Sequence, residues 1–199
     1  MTPRLILASL SPRRSDVLTQ LGLQHLVIPA DVDESYLEGE TPAEHVERLA
    51  QRKAVVISTR EPDALVIGGD TVVVDGVRVL GKPEDDRAAV EMLVSLGGRA
   101  HVVLSGIALV GPHGVASSVA ETVVRFRSFS EHAARMYVAT GESLDKAGAY
   151  GIQGMGAALV EAISGDYYAV MGFPIDAFMK VLLEAGWRYE FGRIEPTER

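Results

Sequence analysis

The chain contains no cysteine. Disulfides, zinc–thiolate centres and thiol nucleophiles are therefore excluded, and the composition suits a reducing compartment. Positive charge is also scarce: 19 lysines and arginines face 27 aspartates and glutamates, a formal net charge of −8. That field repels polyanions, so a nucleic-acid polymer is not an expected partner, whereas a small anion gripped by a few local cations is compatible with it. No apolar run is long enough for a membrane span or a signal-peptide core, because Ser9 and Ser11 interrupt the run that follows Arg4. A soluble, cytoplasmic protein without a membrane partner is expected. His25, His45, His101, His113 and His132 show no paired metal spacing, and His45 reads as helix surface. Ser9 has no nearby histidine and acid to make it a nucleophile. GIQGMG has no strand-to-helix switch after it, so it reads as a flexible loop beside a pocket rather than a dinucleotide fingerprint.

What is present suffices for one good core: 47% of the 199 residues are hydrophobic, with no internal repeat or linker-like composition shift. A single unit spanning residues 1–199 is expected. Leu5-Ile6-Leu7 reads as a strand, and Ser11-Pro12 as the start of a helix running to Leu21 with Gly22 as its stop. A short strand at 26–29 leads to the acidic loop Asp31-Val32-Asp33-Glu34. Thr41-Pro42-Ala43-Glu44 is a capping box opening a helix with the apolar stripe Val46, Leu49, Ala50, Ala54 and Ile57. ALVIGGDTVVVDGVRVLGKP reads as a buried strand, a turn at Asp75-Gly76 and a return strand. That turn would set Asp70 opposite Gly81 and deliver Lys82 beside Asp70. A helix ended by Gly97-Gly98, two long strands around residues 111–114, a helix capped by Ser130 and a last helix from about Ile175 to Ala185 complete a mixed-sheet α/β chain.

Several charges sit where a bland protein would not put them. Arg13 and Arg14 fall in the first turn of a helix, where the macrodipole disfavours cations by roughly 0.3–1 kcal/mol, so an anion is expected there. Asp16, a turn away, is the simpler way to neutralise them. Lys53 is in phase with the buried stripe; either its stem packs and its ammonium snorkels to solvent, or it reaches into a polar cleft. Asp70 interrupts an apolar strand directly after Gly68-Gly69, so it must meet a cation, a metal ion or a solvated cleft. Pairing with Lys82 is the structural alternative. Asp31, Asp33 and Glu34 form either a solvated acidic loop or, with Asp70, oxygen ligands of the kind magnesium accepts.

Taken in order, LILASLSPRRSDVLTQLGL, DVDE, ERLAQRKA, VIGGDTVV, GKP and LDKAGAYGIQGMG closely resemble the Maf family of nucleotide pyrophosphatases, over residues 5 to about 174. The resemblance implies a Maf/Ham1-like (ITPase-like) fold, a twisted mixed sheet flanked by helices, with two lobes and a central cleft. It implies a metal-dependent hydrolase that cuts a nucleoside triphosphate between its α and β phosphates, with magnesium, or else manganese, as the divalent cation. Asp70 maps to the catalytic proton acceptor and Glu34 to the lining of the site; these two carboxylates are the pair expected to hold the metal. Ser9, Arg13, Arg14, Lys53 and Lys82 map to substrate contacts. Arg13, Thr71 and Gln153 match the branch acting on dTTP and UTP rather than that acting on 7-methyl-GTP. Gly69 stands where many members have alanine, which should loosen the backbone slightly. A homodimer is also implied. The alternatives are a nucleotide-binding regulator of cell division or septum formation without turnover, and a pyrophosphatase for modified nucleotides such as 7-methyl-GTP.

Overall fold

The computed structural model describes residues 3–112 and 114–197; His113, in the expected hairpin tip, lies outside the described residues. The chain divides into two compact units, one of Met1–Asp70, Ser105–Ala120 and Gly172–Arg199, the other of Thr71–Leu104 and Glu121–Met171. The first contains β1 (Arg4–Leu7), α1 (Pro12–Gln20), β2 (Leu26–Val27), α2 (Pro42–Ser58) and the start of β3 (Ala64–Asp75). β1 lies between β2 and β3 and is parallel to both, with Leu5 opposite Leu65 and Leu7 opposite Ile67. These residues read as near-continuous apolar runs because their strands are covered on both faces.

α2 starts where the capping box places it: the Thr41 side chain accepts from the Glu44 N–H, and the Glu44 carboxylate accepts from the Thr41 N–H. The predicted stripe Val46, Leu49, Ala50, Ala54 and Ile57 is wholly buried. Each of its larger members is worth roughly 1.5–3 kcal/mol of apolar burial. Two glycines let this helix lie directly on the sheet. A Cβ at Gly68 would stand 2.0 Å from the Ala50 carbonyl oxygen, and one at Gly106 would stand 2.4 Å from the Val46 carbonyl oxygen. The first of the two glycines before Asp70 thus admits the backbone of α2.

The second unit contains the rest of β3, β4 (Arg78–Leu80) and α3 (Asp86–Leu96). It also holds the first part of β5 (Ala100–Gly111), the end of β6 (Gly114–Phe126), α4 (Glu131–Val138), β7 (Val160–Ser164) and α5 (Tyr167–Val170). The helix starts at Asp85 and Ser130 are side-chain caps on Ala88 and Ala133. The β3–β4 turn differs from the expectation. Asp75 pairs with Arg78, and Val73 with Leu80, so the turn is Gly76-Val77 and the register moves by two residues. Two features account for this: Gly76 takes the positive φ of 61° that the turn needs, and Asp75 is held in the strand by both terminal nitrogens of Arg99, at 2.8 and 3.2 Å. Pairing stops at Leu80, so the expected alignment of Asp70 with Gly81 does not form. The glycine-rich segment enters β7 through two 3₁₀ turns, Ala147–Ala149 and Met155–Leu159.

Among the remaining elements, α6 (Ile175–Glu184) matches the expected last helix; the hairpin of β8 (Trp187–Tyr189) and β9 (Ile194–Pro196) was not anticipated. The mixed α/β class holds, with parallel pairs in the first unit and antiparallel β3–β4 and β6–β7 pairs in the second. Among the described residues, no helix is long and apolar enough to cross a membrane.

Because the atoms facing Gly68 are helix backbone, Gly68→Ala should destabilise the protein by about 2 kcal/mol or more, read as a lower urea midpoint. A midpoint equal to wild type would mean the helix can lift without cost. His101 supplies a second test. Its Nε2 lies 2.8 Å from the Tyr150 hydroxyl, and burial pushes its pKa from 6.5 down to about 4, opposed weakly by Asp75. Between those values the unfolded chain binds a proton that the folded chain does not, so stability is full above pH 6.5 and falls as pH drops toward 4. His101→Gln should flatten the dependence of the urea midpoint on pH across that window; an unchanged slope would refute the assignment.

Candidate active site

The site is built just beyond the carboxyl end of β1 and beside the part of β3 that follows its parallel pairing with β1, the side of the sheet on which open α/β proteins commonly bind ligands. Beyond β1 comes Ser9, whose hydroxyl accepts from the Ser11 N–H at 3.2 Å and from Arg14 Nη1 at 2.8 Å. α1 then begins at Pro12 with Ser11 as N-cap, but Ser11 provides no side-chain cap and the first turn carries no acid. The first turn carries Arg13 and Arg14 instead. Arg14 is only 9% exposed, and its Nε donates to the Gly172 carbonyl at 2.8 Å. Burial lowers its pKa, while the charges of Asp70 and Glu34 oppose that shift. The arginine thus lies in the field of both carboxylates.

Gly69 belongs to this arrangement. A Cβ there would stand 3.1 Å from Arg14 Nε, tighter than an ordinary contact, so the position is a close seat for the guanidinium.

The centre of the site is Lys53. It lies one turn beyond Leu49 and Ala50 on α2, and its ammonium does not snorkel to solvent. It stands 2.8 Å from Asp70 Oδ1 and 2.6 Å from Glu34 Oε1. Asp70 is 13% exposed at its side chain and Glu34 61%. Asp70 therefore has its cation, and that cation is Lys53. Two carboxylates and one ammonium leave a local excess of negative charge, while Arg14 supplies a guanidinium held nearby by Ser9 and Gly172.

The acidic loop is not simply solvated. Asp33 is used locally: its carboxylate accepts the Ser35 N–H at 2.9 Å, the main reason its pKa is lowered, and only Glu34 turns to Lys53. His45 is not on the helix surface as expected. It is buried, stacked against Tyr36 with ring centres 3.5 Å apart, and 3.0 Å from Glu40. The signal that could have revealed this lies in GETPAEHVER, where Glu40, His45 and Arg48 bracket the start of α2.

Thr71, Lys82 and Gln153 belong to the second unit. Thr71 continues β3, Lys82 is exposed just after β4, and Gln153 is exposed in the turn between the two 3₁₀ segments. That turn is anchored by Glu142, whose carboxylate accepts the Met155 N–H at 3.0 Å and the Gly156 N–H at 3.4 Å.

Removing Lys53 strands Asp70 and Glu34 without their shared counter-ion. Lys53→Met should cost on the order of 2 kcal/mol in urea unfolding, and Lys53→Met/Asp70→Asn should recover part of that loss. A double variant less stable than Lys53→Met alone would contradict the pairing.

Comparison with known proteins sets this geometry in a family. The Maf family profile, described as Maf-like protein, matches residues 4–185. A curated dTTP/UTP pyrophosphatase of Symbiobacterium thermophilum is 50% identical over 92% of this chain and 95% of its own. That of Moorella thermoacetica is 50% identical over 86% and 90%, and that of Aquifex aeolicus 44% identical over 91% and 95%. Among solved structures, the Ham1 protein of Staphylococcus aureus aligns at 19% identity with a TM-score of 0.43, covering 62% of this chain and 71% of that one. With the ordered motifs from Leu5 to Pro174 and a profile match spanning nearly the whole sequence, the chain belongs to the Maf family.

Proposed function

We infer that this chain is a nucleoside triphosphate pyrophosphatase, a hydrolase that converts dTTP and UTP to the monophosphate and pyrophosphate. The observation that carries this reading is the meeting of Lys53 with Asp70 and Glu34, beside the Arg14 guanidinium, in a chain about half identical to curated dTTP/UTP pyrophosphatases.

The chemistry asks little of covalent catalysis and much of positioning and charge. Water adds to the α-phosphorus, the α–β anhydride bond breaks, and pyrophosphate leaves with the bonding electrons. Asp70 orients that water and accepts its proton. Arg13, Arg14 and Lys53 neutralise the triphosphate tail, with Ser9 holding Arg14, and Lys82 adds a further cation. The tail is the anion that the arginines in the first turn of α1 await.

A divalent cation fits the donor set. Glu34 and Asp70 present two hard oxygen groups that converge on the Lys53 ammonium; no group of three or more histidine, cysteine, aspartate or glutamate residues able to hold a metal occurs among the described residues, so these two carboxylates would need substrate and water oxygens to complete a shell. Magnesium is commonly held by one or two carboxylates, with phosphate oxygens and water completing its shell. When bound, magnesium supplies charge neutralisation and polarises the phosphoryl oxygens. Manganese offers the same donor preference. Arg13, Thr71 and Gln153 carry the preference for pyrimidine bases, the Gln153 amide offering both a donor and an acceptor to a uracil or thymine edge.

The test is a panel of dTTP, UTP, 7-methyl-GTP and purine triphosphates with magnesium or manganese, scoring pyrophosphate against orthophosphate. Pyrophosphate release should be fastest from dTTP and UTP, and Asp70→Asn should lower kcat at least 100-fold while retaining nucleotide affinity, within the ~10²–10⁴-fold scale of general base catalysis. Binding of UTP without turnover by the wild-type chain would instead favour a sensor.

A further inference from the structure

Glu34 lies on a segment without regular structure: no helix or strand occurs between Val27 and Pro42. Its side chain is largely exposed, so its aim at Lys53 depends on what fixes the backbone on either side. The residues flanking it are both tied to α2. Arg48 Nη2 donates to the Ser35 carbonyl at 3.0 Å, and Arg52 Nη1 reaches the Asp33 carbonyl at 3.5 Å. Arg48, Arg52 and Lys53 thus present one helix to Ser35, Asp33 and Glu34 in turn.

Arg48 is itself locked. Glu40 Oε1 accepts from Arg48 Nε at 2.5 Å, and Oε2 accepts from Nη2 at 2.7 Å, the two-pronged geometry that only a guanidinium provides. Glu40 Oε2 also accepts the Leu37 N–H at 3.1 Å and lies 3.0 Å from His45 Nδ1. The Glu40 side chain is 6% exposed. Tyr36 closes the anchor by lying flat on His45, with ring planes 1° apart.

We propose that Arg48, clamped by Glu40, is a positioning residue that holds the Ser35 backbone so that Glu34 is presented to Lys53 and Asp70. The hydrogen bonds of Arg48 go to Glu40, to His45 and to the Ser35 backbone, so it acts through the loop. The inference rests on the pyrophosphatase reading above, because it assigns Glu34 to that site. The hydrogen bonds from Arg48 hold the Glu40 pKa down to about 2, so the clamp remains charged at any ordinary working pH.

The test compares Arg48→Met and Glu40→Gln, alone and combined with Glu34→Gln, in the full chain. Three quantities are read: deuterium uptake over residues 33–40 without nucleotide or added metal, kcat/KM for UTP, and Tm. Either single variant should speed uptake over that segment and lower kcat/KM about 10-fold or more, the usual scale for groups that orient active-site ligands. Once Glu34 is glutamine, either variant should cost clearly less than it does alone, because the route through Glu34 is gone and what is left for Arg48→Met is the direct effect of its charge on Asp70. Glu40→Gln keeps the shape of the pair and serves if Arg48→Met does not fold. Unchanged uptake, losses that multiply with Glu34→Gln, or a lower Tm with kcat/KM intact would each overturn the proposal. A wild-type chain that releases no pyrophosphate from UTP refutes the pyrophosphatase reading instead, and the uptake result still decides whether the clamp fixes the loop.

Discussion

Everything at this site depends on how closely α2 lies on the sheet. At Gly68 and Gly106 the strands offer no side chain, and helix carbonyls occupy the space where Cβ atoms would be. That contact fixes the height and rotation of α2. Lys53, on its inward face, consequently meets Asp70 only two residues beyond Gly68 on β3. A bulkier strand would push the helix away and separate the pair. Backbone packing and active-site electrostatics are therefore one constraint here, and the glycines serve the chemistry through the fold.

The same helix organises the acidic loop. α2 contributes apolar residues to the core, Lys53 to the carboxylates, and arginines to the loop backbone. In this acidic chain, Arg14 and Lys53 are concentrated beside the Asp70 and Glu34 carboxylates. Arg14 is buried, with its guanidinium fixed by Ser9 and the Gly172 carbonyl at the expense of desolvation. A guanidinium held this way suits the electrostatic role proposed for it, since little rearrangement would remain when charge develops on a phosphate.

Much of this was legible in the sequence, for physical reasons. The capping box at Thr41 is a local signal and marked the start of α2; the 3.6-residue stripe marked its buried face and flagged Lys53. A carboxylate in an apolar strand must be compensated, which singled out Asp70. What could not be read were non-local choices. The partner of Asp70 came from a helix 17 residues earlier, where strand arithmetic had pointed to Lys82. The turn slipped to Gly76-Val77 because Arg99, 24 residues away, holds Asp75 in the strand. His45 reads as polar surface until Tyr36 and Glu40 fold over it, and the β8–β9 hairpin has strands of only three residues, too short to show a period.

The central claim is that the site brings a water molecule, through Asp70, to the α-phosphorus of a gripped triphosphate. Hydrolysis of UTP in ¹⁸O-labelled water, with mass analysis of both products, tests it most directly. The account predicts a single label on the nucleoside monophosphate and none on pyrophosphate. Label on pyrophosphate, or stepwise release of labelled orthophosphate, would contradict it.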